Sequence, residues 1–243
     1  MKRYSLEKKE NHAGYLFALP WFLGMVFFVA GPAVASFVIS LTEWNILSRP
    51  VWVGLGNYAK LFKADPLFYK SLMVTVTYTV FAVPLGMSVA MALALGLNRK
   101  MKGSSVFRSI FFLPTVLSGV AVAMLWQWLF NPEFGAINAA LRLLHLPTPG
   151  WLASEFWALP ALILMSLWGV GGTAIIYLAG LQNIPGQLYE AAAIDGAGRI
   201  RMFFHVTLPM MSPVLFLTLV LGIIGSFQVF TQVYIVSSGG PLW

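Results

Sequence analysis

Cysteine is absent from this chain of 243 residues, and charge nearly so. Without a thiol there is no disulfide framework and no thiolate metal site. Charged residues make up 9% of the chain. A soluble domain carries about a quarter, so this protein cannot cover its apolar surface with solvated side chains. A Gly-x-x-x-x-Gly-Lys-Ser/Thr phosphate loop is also missing, so any ATP that drives this chain is hydrolysed on another polypeptide. The three histidines, His12, His145 and His205, all lie in connections between apolar stretches. Proton or sodium coupling usually leaves an ionisable residue buried in a span, and these spans hold none. The same lack speaks against an intramembrane hydrolase, for which there is neither a His/Glu metal set nor a Ser/His pair.

What the chain does have is hydrophobicity, at 59% of residues. Residues 14–42, 71–97, 109–130, 156–181 and 209–236 contain no charged side chain. About 20 apolar residues cross the hydrocarbon core as a helix, and each stretch reaches that length. The runs are continuously apolar, where barrel strands would alternate. The expected fold is therefore all-α: a polytopic helical membrane protein with five spans. The apolar run behind the basic start is too long for a signal peptide and lacks a small-x-small cleavage site, so it is expected to stay as the first span. Residues 1–13 form a tail and 14–243 one transmembrane domain.

The net charge of +7 belongs to the flanks of the spans and forms no stripe suited to nucleic acid. The tail holds Lys2, Arg3, Lys8 and Lys9, and the connection at 98–108 holds Arg99, Lys100, Lys102 and Arg108 with no acid. Connection 131–155 sets one base, Arg142, against Glu133 and Glu155. The positive-inside rule places the tail and 98–108 in the cytoplasm and 131–155 outside, and counting spans then puts 43–70 outside and 182–208 inside. Arg49, Lys60, Lys63 and Lys70 run against that bias in the 43–70 connection. Trp44, Trp52, Trp126, Trp128, Trp151 and Trp157 fall at the outer ends of spans, as an aromatic belt would.

Pro20, Pro32, Pro84, Pro114, Pro160 and the cluster Gly169, Gly171, Gly172 lie inside spans, where neighbouring helices can re-satisfy freed backbone groups around a cavity. Gly86, Ala90 and Ala94 recur every four residues and offer a smooth packing groove. Neutral hydrogen-bonding side chains mark a candidate pathway. Gln228, Thr231 and Gln232 are expected on one helical face with Gly225, with Ser226 and Tyr234 close by. In the fourth span Trp168, Gly169 and Thr173 combine an aromatic plane with close backbone approach. Such groups suit an uncharged, hydroxylated solute. Hydrogen-bonded glue between helices accounts for them equally well.

Between the last two apolar stretches lies a polar segment with its own helical design. Pro185 suits a first helical turn, and Leu188 to Ile194 reads as a short, alanine-rich helix edged by Glu190 and Asp195. Gly196 and Gly198 end it. Arg199 to Val206 is expected as a second short helix, with Phe203 and Phe204 facing apolar surroundings, and Pro209 and Pro213 as the opening of the fifth span.

Glu190, Ala191 and Ala192, then Asp195, Gly196 and Ala197, then Leu208 and Pro209 resemble the EAA loop of membrane subunits of ATP-binding-cassette importers. Val53-Gly-Leu-Gly-Asn-Tyr-Ala-Lys-Leu-Phe62 with Asp65-Pro66 is similar to the first external loop of the maltose-type, carbohydrate-uptake branch. Arg108-Ser-Ile-Phe-Phe-Leu-Pro114, Trp128-Leu-Phe-Asn-Pro132 with Gly135 and Asn138, and Gly239-Gly-Pro241 resemble that branch too. The resemblance implies a type I importer transmembrane domain in the bacterial cell membrane. Its expected partners are a second permease subunit, two ATPase subunits docked on the loop at 182–208, and an extracytoplasmic solute-binding protein. ATP and magnesium would sit on the ATPases and no cofactor on this chain. Members of that branch carry a sixth helix after the Gly-Gly-Pro, so the ending at Trp243 is expected to be a truncation. A facilitator independent of ATP, or a scaffold recruiting an ATPase, are the competing readings of the residues alone.

Overall fold

The computed structural model describes residues 2–99 and 103–237, with side chains from His12 to Arg99 and from Gly103 to Val236. Lys100, Lys102, the Gly239-Gly240-Pro241 sequence and Trp243 lie outside the described residues, as do the tail side chains of Lys2, Arg3, Lys8 and Lys9. The chain divides into two units, Met1–Ser71 and Leu72–Trp243.

In the first unit α1 (Lys2–Met25) passes through a π turn at Val26–Ala30 into α2 (Gly31–Ser40). Pro32 causes the turn. It offers no N–H to the preceding turn and its ring needs room there, so the helix widens and Gly31 N–H bonds to the Val26 carbonyl. The tail is thus helical from Lys2 onward. A two-stranded hairpin follows, β1 (Thr42–Glu43) antiparallel to β2 (Val51–Trp52). Then comes α3 (Gly56–Ala64), whose Asn57 closes the end of α2. Its amide donates to the carbonyls of Ser40 and Thr42, both at 2.9 Å, while the Tyr58 hydroxyl meets Ser40 Oγ at 2.7 Å. The Gly-Asn-Tyr run of the first loop is therefore a cap for carbonyls left over at a helix end. Asp65 starts α4 (Pro66–Leu97) by accepting from Leu67 N and Phe68 N.

The second unit contains most of α4, then α5 (Ser104–Val116), α6 (Gly119–Leu129), α7 (Ala136–Leu143), α8 (Glu155–Leu167) and α9 (Gly171–Gln182). It continues with α10 (Gly186–Ile194), α11 (Arg199–Met202), α12 (Leu208–Phe227) and α13 (Thr231–Ser237). Three helical segments are long and apolar enough to cross a bilayer: His12–Ser40, Pro66–Leu97 and Arg199–Phe227. The expected spans at 109–130 and 156–181 are each broken in two, α5 and α6 at 100° and α8 and α9 at 48°. The count reaches five when each bent pair is taken as one crossing.

The expected fifth span, 209–236, is displaced at both ends. Its helix begins at Arg199, because α11 continues through a π turn at Phe203–Thr207 into α12. The second short helix expected at Arg199 to Val206 is therefore the base of the span. Pro209 has the same effect as Pro32: Leu208 N–H bonds to the Phe203 carbonyl and the helix widens without breaking. At the other end the helix stops at Phe227, and α13 is a separate short helix.

Two cores hold this unit. Ala90, Met91, Ala94 and Leu97 of α4 pack with Ala174, Tyr177, Leu178 and Leu181 of α9 and with Met211 of α12. Ala90 and Ala94 are fully buried, as the small-residue groove requires. The Tyr177 hydroxyl meets Thr218 Oγ1 at 2.7 Å, and Thr79 Oγ1 meets Ser226 Oγ at 2.8 Å, both pairs buried. Such contacts between membrane helices contribute about 0.6 kcal/mol each. The second core gathers Ala123, Trp126, Phe130, Ala161, Met165 and Val236. Trp126 therefore departs from the expected belt: it is buried against Phe130 and Trp168, with ring centroids 5.0 and 6.2 Å away. Trp151 is held inward too, donating from Nε1 to the fully buried Asn138, whose amide donates to the carbonyls of Pro132 and Pro149.

Candidate functional site

The helix breaks of the second unit converge. Leu117 and Gly119 flank the α5–α6 break, Trp168 and Gly169 the α8–α9 break, and Val229 and Gln232 the α12–α13 break. All six line one cavity of about 200 Å³ together with Tyr78 and Ser166. Each break leaves backbone N–H and C=O groups without an intrahelical partner. In a membrane such backbone is tolerated where it is enclosed in protein or lines a water-filled cavity. Ser118 satisfies one of these donors by accepting from Ala121 N at 3.3 Å. A second cavity of about 280 Å³ shares Tyr78, Ser166, Gly169 and Val229 and extends to Thr173, Thr218 and Ser226.

The expected pathway residues separate here. Trp168, Gly169, Thr173, Ser226 and Gln232 line one cavity or both, whereas Gln228 and Thr231 line neither and are exposed. The face expected to carry Gln228, Thr231 and Gln232 with Gly225 does not exist as one helix, because Gln228, Val229 and Phe230 interrupt it. Apolar periodicity continues across 209–236 and conceals that break. Ser226 gives its hydroxyl to the Thr79 contact and the Ile223 carbonyl, which makes it a tie between helices. Tyr78 and Ser166 were not singled out in the sequence. Both line the two cavities, and Ser166 donates to the Ile163 carbonyl at 2.6 Å. Only their polarity within apolar spans distinguished them beforehand.

The polar loop is built to stay rigid. Helix α10 ends in a Schellman arrangement: Gly196 has φ +76, its N–H bonds to Ala193 O at 3.0 Å, and Ala197 N–H reaches Ala192 O at 2.9 Å. Glu190, Ala191, Asp195 and Gly196 are exposed and Ala192 and Ala197 half-buried. On its inner face the Tyr189 hydroxyl meets the buried Thr207 Oγ1 at 3.0 Å, and Tyr189 and Phe203 pack on the first core. Phe204, expected to face apolar surroundings, is 58% exposed on the chain surface. Leu208 and Pro209 sit at the junction of the π turn and α12. Among the described residues no cluster of three or more His, Asp or Glu forms a metal site.

Broken helices around a cavity, joined to a clamped amphipathic loop, define a helical transport subunit of the membrane. Residues 82–242 match the family described as binding-protein-dependent transport system inner membrane component. The chain is 40% identical to the probable ABC transporter permease protein YesP of Bacillus subtilis, over 100% of this chain and 79% of that one. It is 34% identical to the trehalose/maltose transport system permease protein MalF of Thermococcus litoralis, over 97% and 80%. Among solved structures it resembles a bacterial alginate ABC transporter in complex with an alginate pentasaccharide-bound periplasmic protein. That match has a TM-score of 0.81 and 26% identity, and covers 95% of this chain and 78% of that one. The chain belongs to the family of binding-protein-dependent transport inner membrane components, as a multi-pass permease subunit of an ATP-driven importer.

Proposed function

We propose that this permease carries a neutral sugar or similar polyol, and that the cavity where its helix breaks meet is its share of the path. That convergence is the observation on which the reading rests. No charged side chain lines either cavity among the described residues. Half-helix ends offer both donors and acceptors, matching a hydroxyl, which is both. The names of the relatives, for trehalose/maltose and alginate, point to carbohydrate as the cargo class.

A separate ATPase binds the loop at 186–206, carrying the ATP and magnesium, and this chain carries no cofactor. Two such ATPases, a second permease subunit and an external binding protein complete the assembly, with the N-terminus cytoplasmic. Because Tyr189 and Phe203 root the loop in the core of α4, α9 and α12, a push on α10 is passed to the spans as a lever would pass it. The cavity then opens alternately to each side.

Gln232→Leu in the assembled importer is expected to lower sugar uptake about tenfold, the weight of one or two lost hydrogen bonds to solute, at unchanged complex yield. Gln228→Leu, altering an exposed residue outside the cavities, should transport normally. Uptake that survives Gln232→Leu, or yield falling in step with it, assigns the cavity to packing. Orientation is tested separately, since this chain has no cysteine to remove. Single cysteines at the exposed Arg99 and Glu133 should label from the cytoplasmic and external sides respectively. Labelling of both from outside overturns the assignment. Gly135 is unsuited as a probe because a Cβ there would run into the carbonyls of Leu129 and Asn131.

A further inference from the structure

Arg108, near the start of a membrane helix, has a guanidinium Nε without a hydrogen-bond partner among the described residues. It occupies the second turn of α5, about 6 Å along the helix from Ser104. The residue is half-buried, and its Nε is buried with no hydrogen-bond acceptor. A guanidinium held this way is costly unless an anion meets it. The chain supplies few candidates. Between residues 72 and 189 the only acids are Glu133, after the end of α6, and Glu155, the first residue of α8, while Glu190 and Asp195 are exposed on the polar loop.

The surroundings indicate what kind of anion fits. Residues three and four apart share a helical face. The face of Arg108 therefore runs from Ser104 and Ser105 at the polar end to Phe111 and Phe112, which are 38% and 41% exposed. Ile110 and Phe107 alongside are exposed as well. Hydroxyls, then a cation, then open aromatic and aliphatic surface follow the order of a phospholipid from headgroup to acyl chain. The preceding connection adds Arg99, Lys100 and Lys102 with no acid. Three bases just ahead of a span in sequence, with Arg108 in its second turn, attract anionic lipid.

We infer that the start of α5 is a binding site for the headgroup phosphate of an anionic phospholipid, with Arg108 as its central donor and the exposed Phe111 and Phe112 alongside an acyl chain. The carboxylate of a neighbouring subunit is the rival partner, but the open apolar surface beyond Arg108 matches a lipid chain better than a second charged side chain. Held there, the lipid would fix the depth of α5 and so of its break at the cavity.

The test uses this permease purified in the importer complex with its partner permease, in nanodiscs of phosphatidylcholine with or without phosphatidylglycerol, followed by delipidation and native mass spectrometry. Wild-type protein should retain phosphatidylglycerol over phosphatidylcholine. Arg108→Gln should reduce that preference about five-fold, the weight of one cation near an anionic surface. Arg108→Lys, which keeps the charge and loses Nε, should fall between them. Absence of a preference in the wild type overturns the site without reference to any variant. So does full retention by Arg108→Gln, or equal protection by inorganic phosphate. If Arg108→Gln instead releases a co-purified permease subunit while lipid retention stays unchanged, the anion is a carboxylate and the lipid site is refuted.

Discussion

Gly171→Ala is expected to remove most of the folded protein from the membrane, by about 3 kcal/mol or more, the upper end for an overpacked core. A Cβ at this position would fall on the carbonyl carbon and oxygen of Phe111, with Phe112 N at 3.2 Å. The obstacle is backbone of α5, which cannot rotate away as a side chain would. The crossing of α5 and α9 therefore has to open, and with it the cavity wall at Gly169. Gly172→Ala provides the control, because its new methyl would meet only Thr115 Cγ2 at 3.5 Å, an ordinary contact. Detergent-extracted yield and thermal midpoint of the two variants decide the matter. Equal stability would mean that the two helices do not approach this closely.

Gly196→Val should detach the ATPase while leaving insertion intact. At φ +76 a β-branched side chain is strained against its own backbone. The end of α10 must shift, losing the bonds from Gly196 N to Ala193 O and from Ala197 N to Ala192 O. Two costs of this size amount to about tenfold or more in retained ATPase, since about 1.4 kcal/mol is tenfold in an equilibrium constant. Glu190→Lys, which reverses an exposed charge on the same helix, is expected to act in the same direction. Gly186→Ala should be silent, because nothing lies within 4 Å of its added carbon. Pull-down of the ATPase with permease of equal membrane content is the measurement. Wild-type retention by both Gly196→Val and Glu190→Lys would remove α10 from the docking surface.

The residues whose effect is local were legible in advance. The stop at Gly196 was readable because a helix that ends in a left-handed turn selects glycine, and the alanine run before it selects a helix. The alternation of apolar spans with basic connections was readable because bilayer thickness sets a length and charge is excluded from it. The helix breaks were less legible. Hydropathy is continuous through Leu117, Trp168 and Gln228, and Pro209, expected to open the fifth span, instead widens a helix that begins at Arg199. The Gln228 and Gln232 face was misplaced for this reason: period 3.6 assumes an unbroken helix, and three residues of irregular backbone intervene. Trp126 was placed at the surface by its position at the end of a span, and its burial depends on α13 packing across α6.

By itself, then, the sequence determined that this is a helical membrane protein, where its apolar segments lie, and which polar segment forms the exposed, alanine-rich helix. Those properties follow from transfer free energy and backbone propensity, which act residue by residue. Only the tertiary structure decided that the interrupted helices share one cavity, that Tyr78 and Ser166 stand in its wall, and that Arg108 Nε is enclosed with no acceptor among the described residues. Each of these depends on which distant segment arrives beside a given atom. In a chain whose spans are all apolar, composition does not distinguish one neighbour from another; close backbone approach, as at Gly171 against Phe111, does.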